Sequence, residues 1–127
     1  MLVCIEYFQS EYLITSEFLA SSIQVNPVII RQITSRLKNA DIVDVARGRG
    51  GMTLARPLEE ISLYDIYKAV DCVEGSLFHF HENPNPACPV GKNIHKALDG
   101  TLLEIQQTFE NKLRSITVRS IAEKIQL

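Results

Sequence analysis

Gln24-Val-Asn-Pro-Val-Ile-Ile-Arg-Gln-Ile-Thr-Ser-Arg-Leu-Lys-Asn39, with Arg47-Gly-Arg-Gly-Gly51 shortly after it, is the stretch that decides how this chain folds. Asn26 before Pro27 is a helix start. The amide side chain can accept from the first orphan N–H groups, and the fixed φ of proline suits the first helical position. The helix predicted from there runs over 27–39 and places Ile30, Ile33 and Leu37 on one face. Its opposite face carries Val28, Arg31, Gln32, Ser35 and Arg36. Ile42-Val-Asp-Val45 and Met52-Thr-Leu-Ala55 then read as two short strands. The glycines between them permit the positive φ that a tight β-hairpin needs.

Upstream, Thr15 and Ser16 can cap a helix whose buried stripe is Phe18, Leu19 and Ile23. Two such helices joined through Gln24-Val25 and followed by a glycine-tipped basic hairpin make a winged helix-turn-helix pattern. Residues 2–10, with Leu2, Val3, Ile5, Tyr7 and Phe8, predict a largely buried first helix. It opens without a cap, so its natural beginning is expected upstream of Met1. The same segment lacks a basic leader and a small-residue cleavage site, which argues against secretion.

Downstream, residues 57–60 form a connector, and Ser62 can cap a helix over 63–73 with Leu63, Ile66, Tyr67 and Val70 inward. Pro84, Pro86 and Pro89 make 79–89 a loop. A long helix is predicted over 92–114, where Ile94, Leu98, Leu102, Ile105, Phe109 and Leu113 recur every three or four residues. At about 1.5 Å per residue it would be a rod of roughly 30 Å, and a second copy of the chain is a fitting partner for its apolar stripe. Thr117 can cap a last short helix. The expected fold class is mainly α with a small β-hairpin wing. A winged helix-turn-helix domain over 1–57 leads into a linker helix and proline-rich loop over 58–91, then a dimerisation helix and tail over 92–127.

Composition sets outer bounds. Of 127 residues, 46% are apolar and 22% charged, an ordinary globular balance that excludes a disordered chain. No apolar run approaches the roughly 20 residues that span a bilayer, so no membrane role is expected. The net charge of −2 is unevenly spread: residues 27–56 hold six basic groups (Arg31, Arg36, Lys38, Arg47, Arg49, Arg56) against Asp41 and Asp44. A local basic stretch is the footprint expected of a phosphate-binding surface. Cys4, Cys72 and Cys88 give no disulfide framework and no paired metal spacing, which fits a reducing cytoplasm. No catalytic constellation is present: Gly48-Arg-Gly-Gly51 leads into strand-like sequence and not a helix, and Asp65, Asp71 and Glu74 read as a solvated helix face.

The order of these parts resembles the Rrf2 family of bacterial transcription regulators, and within it the YwnA-like branch. The likeness is carried by Val25-Asn-Pro-Val-Ile-Ile-Arg-Gln-Ile33, by Arg47-Gly-Arg-Gly-Gly51, and by Leu54-Ala-Arg-Pro-Leu-Glu-Glu-Ile-Ser-Leu63. Cys88-Pro-Val90 and Ser115-Ile-Thr-Val118 extend it over nearly the whole chain, although the family's usual opening segment is shortened. The resemblance implies a homodimer through the long helix, with Ile94, Leu98, Leu102, Ile105 and Phe109 in the interface. It also implies a recognition helix over 27–39 in the major groove of a double-stranded DNA operator and a wing tip over 47–51.

Arg31, Gln32, Ser35 and Arg36 have donors suited to base edges and phosphates, arginine matching guanine and glutamine adenine. A plain solvated face is the competing reading, and which of the four reads bases is left open. Val28 can touch a thymine methyl or merely pack. Arg47 and Arg49 flank Gly48 at the hairpin tip, where the alternation lets backbone approach a duplex while guanidinium groups reach phosphate or a narrow minor groove. The competing reading is a flexible, basic hairpin with no DNA contact. Lys38 and Arg56 are weaker phosphate candidates.

Family members that sense with an iron–sulfur cluster resemble one another in three cysteines spaced about six apart before the long helix. Cys88 matches the third, but Glu82 and Ser76 stand at the other two, so no cofactor is expected and a cluster is disfavoured. Cys88 lies near the start of the long helix, where the helix dipole can lower its pKa. It is either a redox sensor or a structural thiol. His79 and His81 with Glu82, Cys88 or His95 match no standard zinc spacing, so no metal site is expected. Cys4 and Cys72 are expected in the core. The functional expectation is a DNA-binding transcriptional repressor acting as a homodimer on a roughly palindromic operator, with a small-molecule or redox effector. The alternative is a winged-helix module for protein interaction or small-ligand sensing that does not bind DNA.

Overall fold

A computed structural model describes residues 1–48, 51–70 and 85–125 of the chain. The chain begins with α1 (Leu2–Phe8), which presses Leu2 and Ile5 into the core and leaves Tyr7 53% exposed. It is therefore less buried than its apolar content predicts. Helix α2 (Ser16–Ile23) is capped by Thr15, whose hydroxyl accepts from the Phe18 N–H at 3.1 Å. Leu19 and Ala20 are buried, while Phe18 is half-buried against the rings of Phe8 and Tyr12. Gln24 closes α2 in the left-handed region at φ +59 and turns the chain into α3 (Pro27–Asn39). The Asn26 side chain accepts from the Val28 N–H at 2.9 Å, as the Asn-Pro start predicts.

One difference on α3 concerns its inner face. Ile30 and Leu37 are buried as expected, but Ile33 is half-buried and Thr34 takes the remaining inner place at 6% exposure. Its hydroxyl donates to the Ile30 carbonyl at 2.7 Å and lies 3.6 Å from the Met52 sulfur, so this polar group is satisfied without water. Strands β1 (Val43–Val45) and β2 (Met52–Leu54) pair antiparallel, with Val43 opposite Leu54 and Val45 opposite Met52. The Met52 N–H donates to the Ile14 carbonyl at 2.8 Å, which ties the hairpin to the α1–α2 loop. Helices α2 and α3 and the hairpin are thereby one packed unit around Ile14, Leu19, Ile42 and Val43.

The connector after the hairpin is a 3-10 turn (Leu58–Glu60) that buries Leu58. Helix α4 (Leu63–Ala69) follows a full capping box: the Ser62 hydroxyl accepts from the Asp65 N–H, and the Asp65 carboxylate accepts from the Ser62 N–H. Asp65 is thus a helix-start group and not part of a solvated face; Asp71 and Glu74 lie outside the described residues. Helix α5 (Pro89–Arg114) begins three residues before the expected start, because Pro89 occupies the first helical position and does not belong to the loop. Thr117 caps α6 (Val118–Ala122) by accepting from the Ser120 N–H at 3.2 Å.

The chain's last helix returns to its first. The Val118 N–H donates to the Ile61 carbonyl, the Leu63 N–H to the Ile116 carbonyl, and Val118 is 4% exposed in the shared core. Arg119 completes the join. Its Nε donates to Glu59 at 2.7 Å, and its Nη2 donates to Glu6 on α1. Between α1, α3, α4 and α6 remains an apolar cavity of about 240 Å³, lined by Leu2, Ile33, Leu37, Ile66 and Val118 among others.

The Arg119 join predicts a pH dependence. The Arg119 hydrogen bond, and then its own backbone N–H, hold the Glu59 carboxyl below the usual carboxylate range, while the Glu59 and then the Glu6 carboxylate push the Arg119 guanidinium up. A carboxyl whose folded pKa is depressed stabilises the fold above its unfolded value near 4.3, and this is lost as pH falls through the folded value. Arg119→Met is therefore expected to melt below the wild type at neutral pH. The two melting temperatures should converge as the buffer is taken below about pH 4. A gap that stays constant with pH would show that packing, and not charge, makes the join.

Candidate nucleic-acid interface

The outward face of α3 assembles the predicted residues on one side. Val28, Arg31, Gln32, Ser35 and Arg36 are all exposed, Val28 at 52%, opposite the buried Ile30, Thr34 and Leu37. Ile29, at 46% exposure, joins them at the amino end, an apolar group that the periodicity does not single out. The helix shows its first turns outward because its inner contacts with β1 and α2 fix its rotation.

These side chains are not equivalent. Arg31 reaches across to α2, where its Nη2 donates to the Glu17 carboxylate at 2.6 Å. The Glu17 carboxyl is held below its usual range, first by its own backbone N–H and then by Arg31, so it is anionic at neutral pH. Arg36 points away from the amino end: its Nη1 donates to the Val70 carbonyl at 3.1 Å, just beyond α4. Gln32 and Ser35 make no side-chain hydrogen bond among the described residues, and their donors and acceptors face solvent.

The hairpin packs against α3 through β1 and through Met52, which meets the buried Thr34. Gly48 adopts φ +90, and a Cβ built there would meet nothing within 4 Å, so glycine is needed for the backbone turn and not for want of space. Arg47 is exposed without a hydrogen-bond partner among the described residues. Arg49, the other predicted tip cation, lies outside them. Gly51, at the end of the tip segment, closes the turn by accepting from the Ala46 N–H at 2.9 Å. A Cβ there would come within 2.7 Å of Leu13 Cδ1, the far end of an exposed side chain that can move aside.

Of the two weaker phosphate candidates, Lys38 is exposed in the last turn of α3. Arg56 is corrected by the structure. It donates to the carbonyls of Asp41 and Glu60, both at 3.2 Å, and approaches the Asp65 carboxylate at 4.0 Å. It clamps the turn after α3 to the start of α4 instead of facing outward. Sequence reading misses Glu17, Asp65, Arg119 and Thr34. The Ser-x-x-Asp spacing at 62–65 is a local signal for the second; the others depend on contacts distant in sequence.

Helix α5 carries the second predicted surface. None of its residues is buried, although its apolar stripe runs most of its length. Leu102, Gln106, Glu110 and Leu113 are half-covered, and Phe109 meets the Tyr67 ring edge-on at 5.8 Å. Arg114 lies over the Tyr64 ring, 4.0 Å from its centre. Ile94 and Leu98 are half-buried, whereas Ile105 and Phe109 remain 47% and 40% exposed, and Leu103 57%. The stripe is wider than α4 covers.

Cys88 is the N-cap residue of α5 and half-buried. Its sulfur makes no capping hydrogen bond of ordinary geometry, yet the backbone N–H groups of Gly91 and then Val90 hold its thiol below the usual range. Cys4 is half-buried and not core, its sulfur 4.0 Å from the Ser22 hydroxyl. Cys72, His79, His81 and Glu82 lie outside the described residues. Ser76 and Glu82 offer no thiolate beside Cys88, and no group of three His, Cys, Asp or Glu among the described residues is placed to hold a metal ion. No helix among those residues is long and apolar enough to cross a membrane.

Comparison with known proteins places this geometry. A family model, Rrf2, described as an iron-dependent transcriptional regulator, matches residues 1–124. YwnA of Bacillus subtilis (strain 168), provisionally named an HTH-type transcriptional regulator, is 44% identical over 107 residues, covering 84% of this chain and 80% of YwnA. A crystal structure of a protein provisionally called DNA-binding shares 37% identity with a TM-score of 0.70, over 84% of this chain and 82% of that one. CymR (YrzC), the global cysteine regulator of B. subtilis, shares the fold at 21% identity and a TM-score of 0.69, over 98% of this chain and 89% of its own. A winged helix-turn-helix with a long carboxy-terminal helix, matched over 124 residues, identifies this chain as a member of the Rrf2 family of transcriptional regulators.

Proposed function

We propose that this chain regulates transcription by binding double-stranded DNA as a homodimer on a roughly palindromic operator in the cytoplasm, most simply as a repressor. The observation that carries this reading is the exposed face of α3, with Arg31, Gln32 and Ser35, held in one packed unit with a hairpin whose tip presents Arg47. A helix of this kind enters the major groove and a basic hairpin can follow the neighbouring phosphates. Two copies joined through α5 would present two such heads. The 26 residues of α5 make a rod of about 39 Å, long enough to carry an extended interface between two copies. The reading includes no iron–sulfur cofactor. Cys88, with its lowered pKa at the head of α5, is the residue through which a redox effector would act on the spacing of the heads.

A salt titration of the purified, reduced protein against duplex DNA from upstream of its own gene tests this. Each neutralised phosphate adds about 0.9 to the slope of log affinity against log salt, so a dimer with several arginine contacts should show a slope of about −4 or steeper. Preference for that duplex over a shuffled one is expected alongside. A dimer that binds no duplex at low salt would be a protein-interaction or ligand-sensing module instead.

A further inference from the structure

The ion pair between Arg31 on α3 and Glu17 on α2 is a weak stabiliser. Its side chains are 56% and 67% exposed, and exposed pairs of this kind contribute little to folding. What the pair does change is the use of a cation on the face that would meet DNA. A free arginine there has two competing uses. Its planar fork can read the N7 and O6 atoms of guanine, or it can serve as a charge against any phosphate, which carries no sequence information.

The contact is made at one end of the fork only. Nη2 donates to Glu17 Oε1 at 2.6 Å, and the remaining donors of the guanidinium have no hydrogen-bond partner among the described residues. Glu17 occupies the second position of α2, behind the Thr15 cap, where the helix dipole favours an anion. A carboxylate at one end of the fork cancels much of the charge a phosphate would feel and repels that phosphate. It also sets the plane in which the other donors point.

Resting on the DNA-binding reading above, we propose that Glu17 is a positioning residue for sequence readout, which holds Arg31 for a base edge in the major groove and suppresses its use as an indiscriminate phosphate contact. The loss of Glu17 should then raise affinity for the wrong DNA while lowering discrimination, a combination no merely structural role produces.

The test selects preferred duplexes from a library with a randomised core, using the full chain as wild type, Glu17→Gln, Glu17→Ala, Arg31→Ala and the Glu17→Gln/Arg31→Ala double variant. Binding of the selected duplex and a shuffled one is then titrated with salt. Both Glu17 variants are expected to bind the shuffled duplex several-fold more tightly, with a slope steeper by about one per protomer. Preference at the symmetric base pair that Arg31→Ala also erases should fall by roughly five- to a hundredfold. The double variant should match Arg31→Ala alone. Circular dichroism and melting confirm that each variant is folded, which two exposed side chains allow. Unchanged base preference in folded Glu17 variants, or a loss at positions Arg31→Ala leaves alone, overturns the inference while the DNA-binding reading stands. A wild type with no salt-steep duplex binding overturns that reading, and the inference falls with it.

Discussion

Replacing Arg31 and Arg47 together by alanine is expected to weaken duplex binding by roughly two to four orders of magnitude at moderate salt. In the proposed dimer the substitution removes four cations, two on the α3 helices and two at the hairpin tips. Each bidentate arginine on a base is worth about 1–3 kcal/mol of discrimination. Each phosphate that is no longer neutralised should flatten the salt dependence by about 0.9, so the variant slope should be shallower by about two to four depending on how many of the four touch phosphate. The fold should survive, since both side chains are exposed and only Arg31 has a partner, Glu17, among the described residues. Fluorescence anisotropy over a salt series reads the result. A double variant that binds as tightly and as steeply as the wild type would move the interface away from α3 and the hairpin.

A comparably large loss is expected from a residue that need not touch DNA. Ile105→Glu places a charge in the middle of the open stripe of α5, where Ile105 is 47% exposed in the single chain. The monomer has no reason to unfold, because the contacts of α5 with α4 run through neighbouring positions such as Phe109 with Tyr67. The proposed symmetric dimer would bring the α5 stripes of both copies together, so one substitution would introduce two carboxylates into a closing interface. Sedimentation should show a monomer. DNA affinity should fall by about 10²- to 10⁴-fold, since the second head is no longer delivered at the high effective concentration that linkage provides. A variant that remains dimeric would mean that a different surface joins the two copies.

Most of the fold is legible in short stretches of sequence, for a physical reason. Helix caps act over two to four residues. Asn26 with Pro27, Thr15 and Thr117 are therefore visible in the sequence, and each caps its helix in the structure. Apolar periodicity, also local, announces α3 and α5, and the glycines of the hairpin announce a turn that Gly48 makes at φ +90. Where local signals compete, the sequence misleads. The proline-rich run before α5 reads as a loop to its end, yet Pro89 starts the helix, since proline both breaks helices and begins them. Asp65 reads as one of several surface acids, although the Ser-x-x-Asp spacing is a local signal for the capping box it completes with Ser62.

What the sequence determined by itself was the succession of elements, the outward face of α3 and the apolar stripe of α5, all of which follow from periodicity and capping within a few residues. Tertiary structure alone decided the partners. Arg31 meets Glu17 from fourteen residues away, Arg56 is turned inward onto the Asp41 and Glu60 carbonyls, Thr34 is buried beside Met52, and Arg119 closes the carboxy-terminal helix onto Glu6 and Glu59. A charged or polar side chain carries no mark of which distant group it will face. Only the packing of the apolar core fixes the distances at which such pairs can form, and so separates the cations that clamp the fold from those left facing outward.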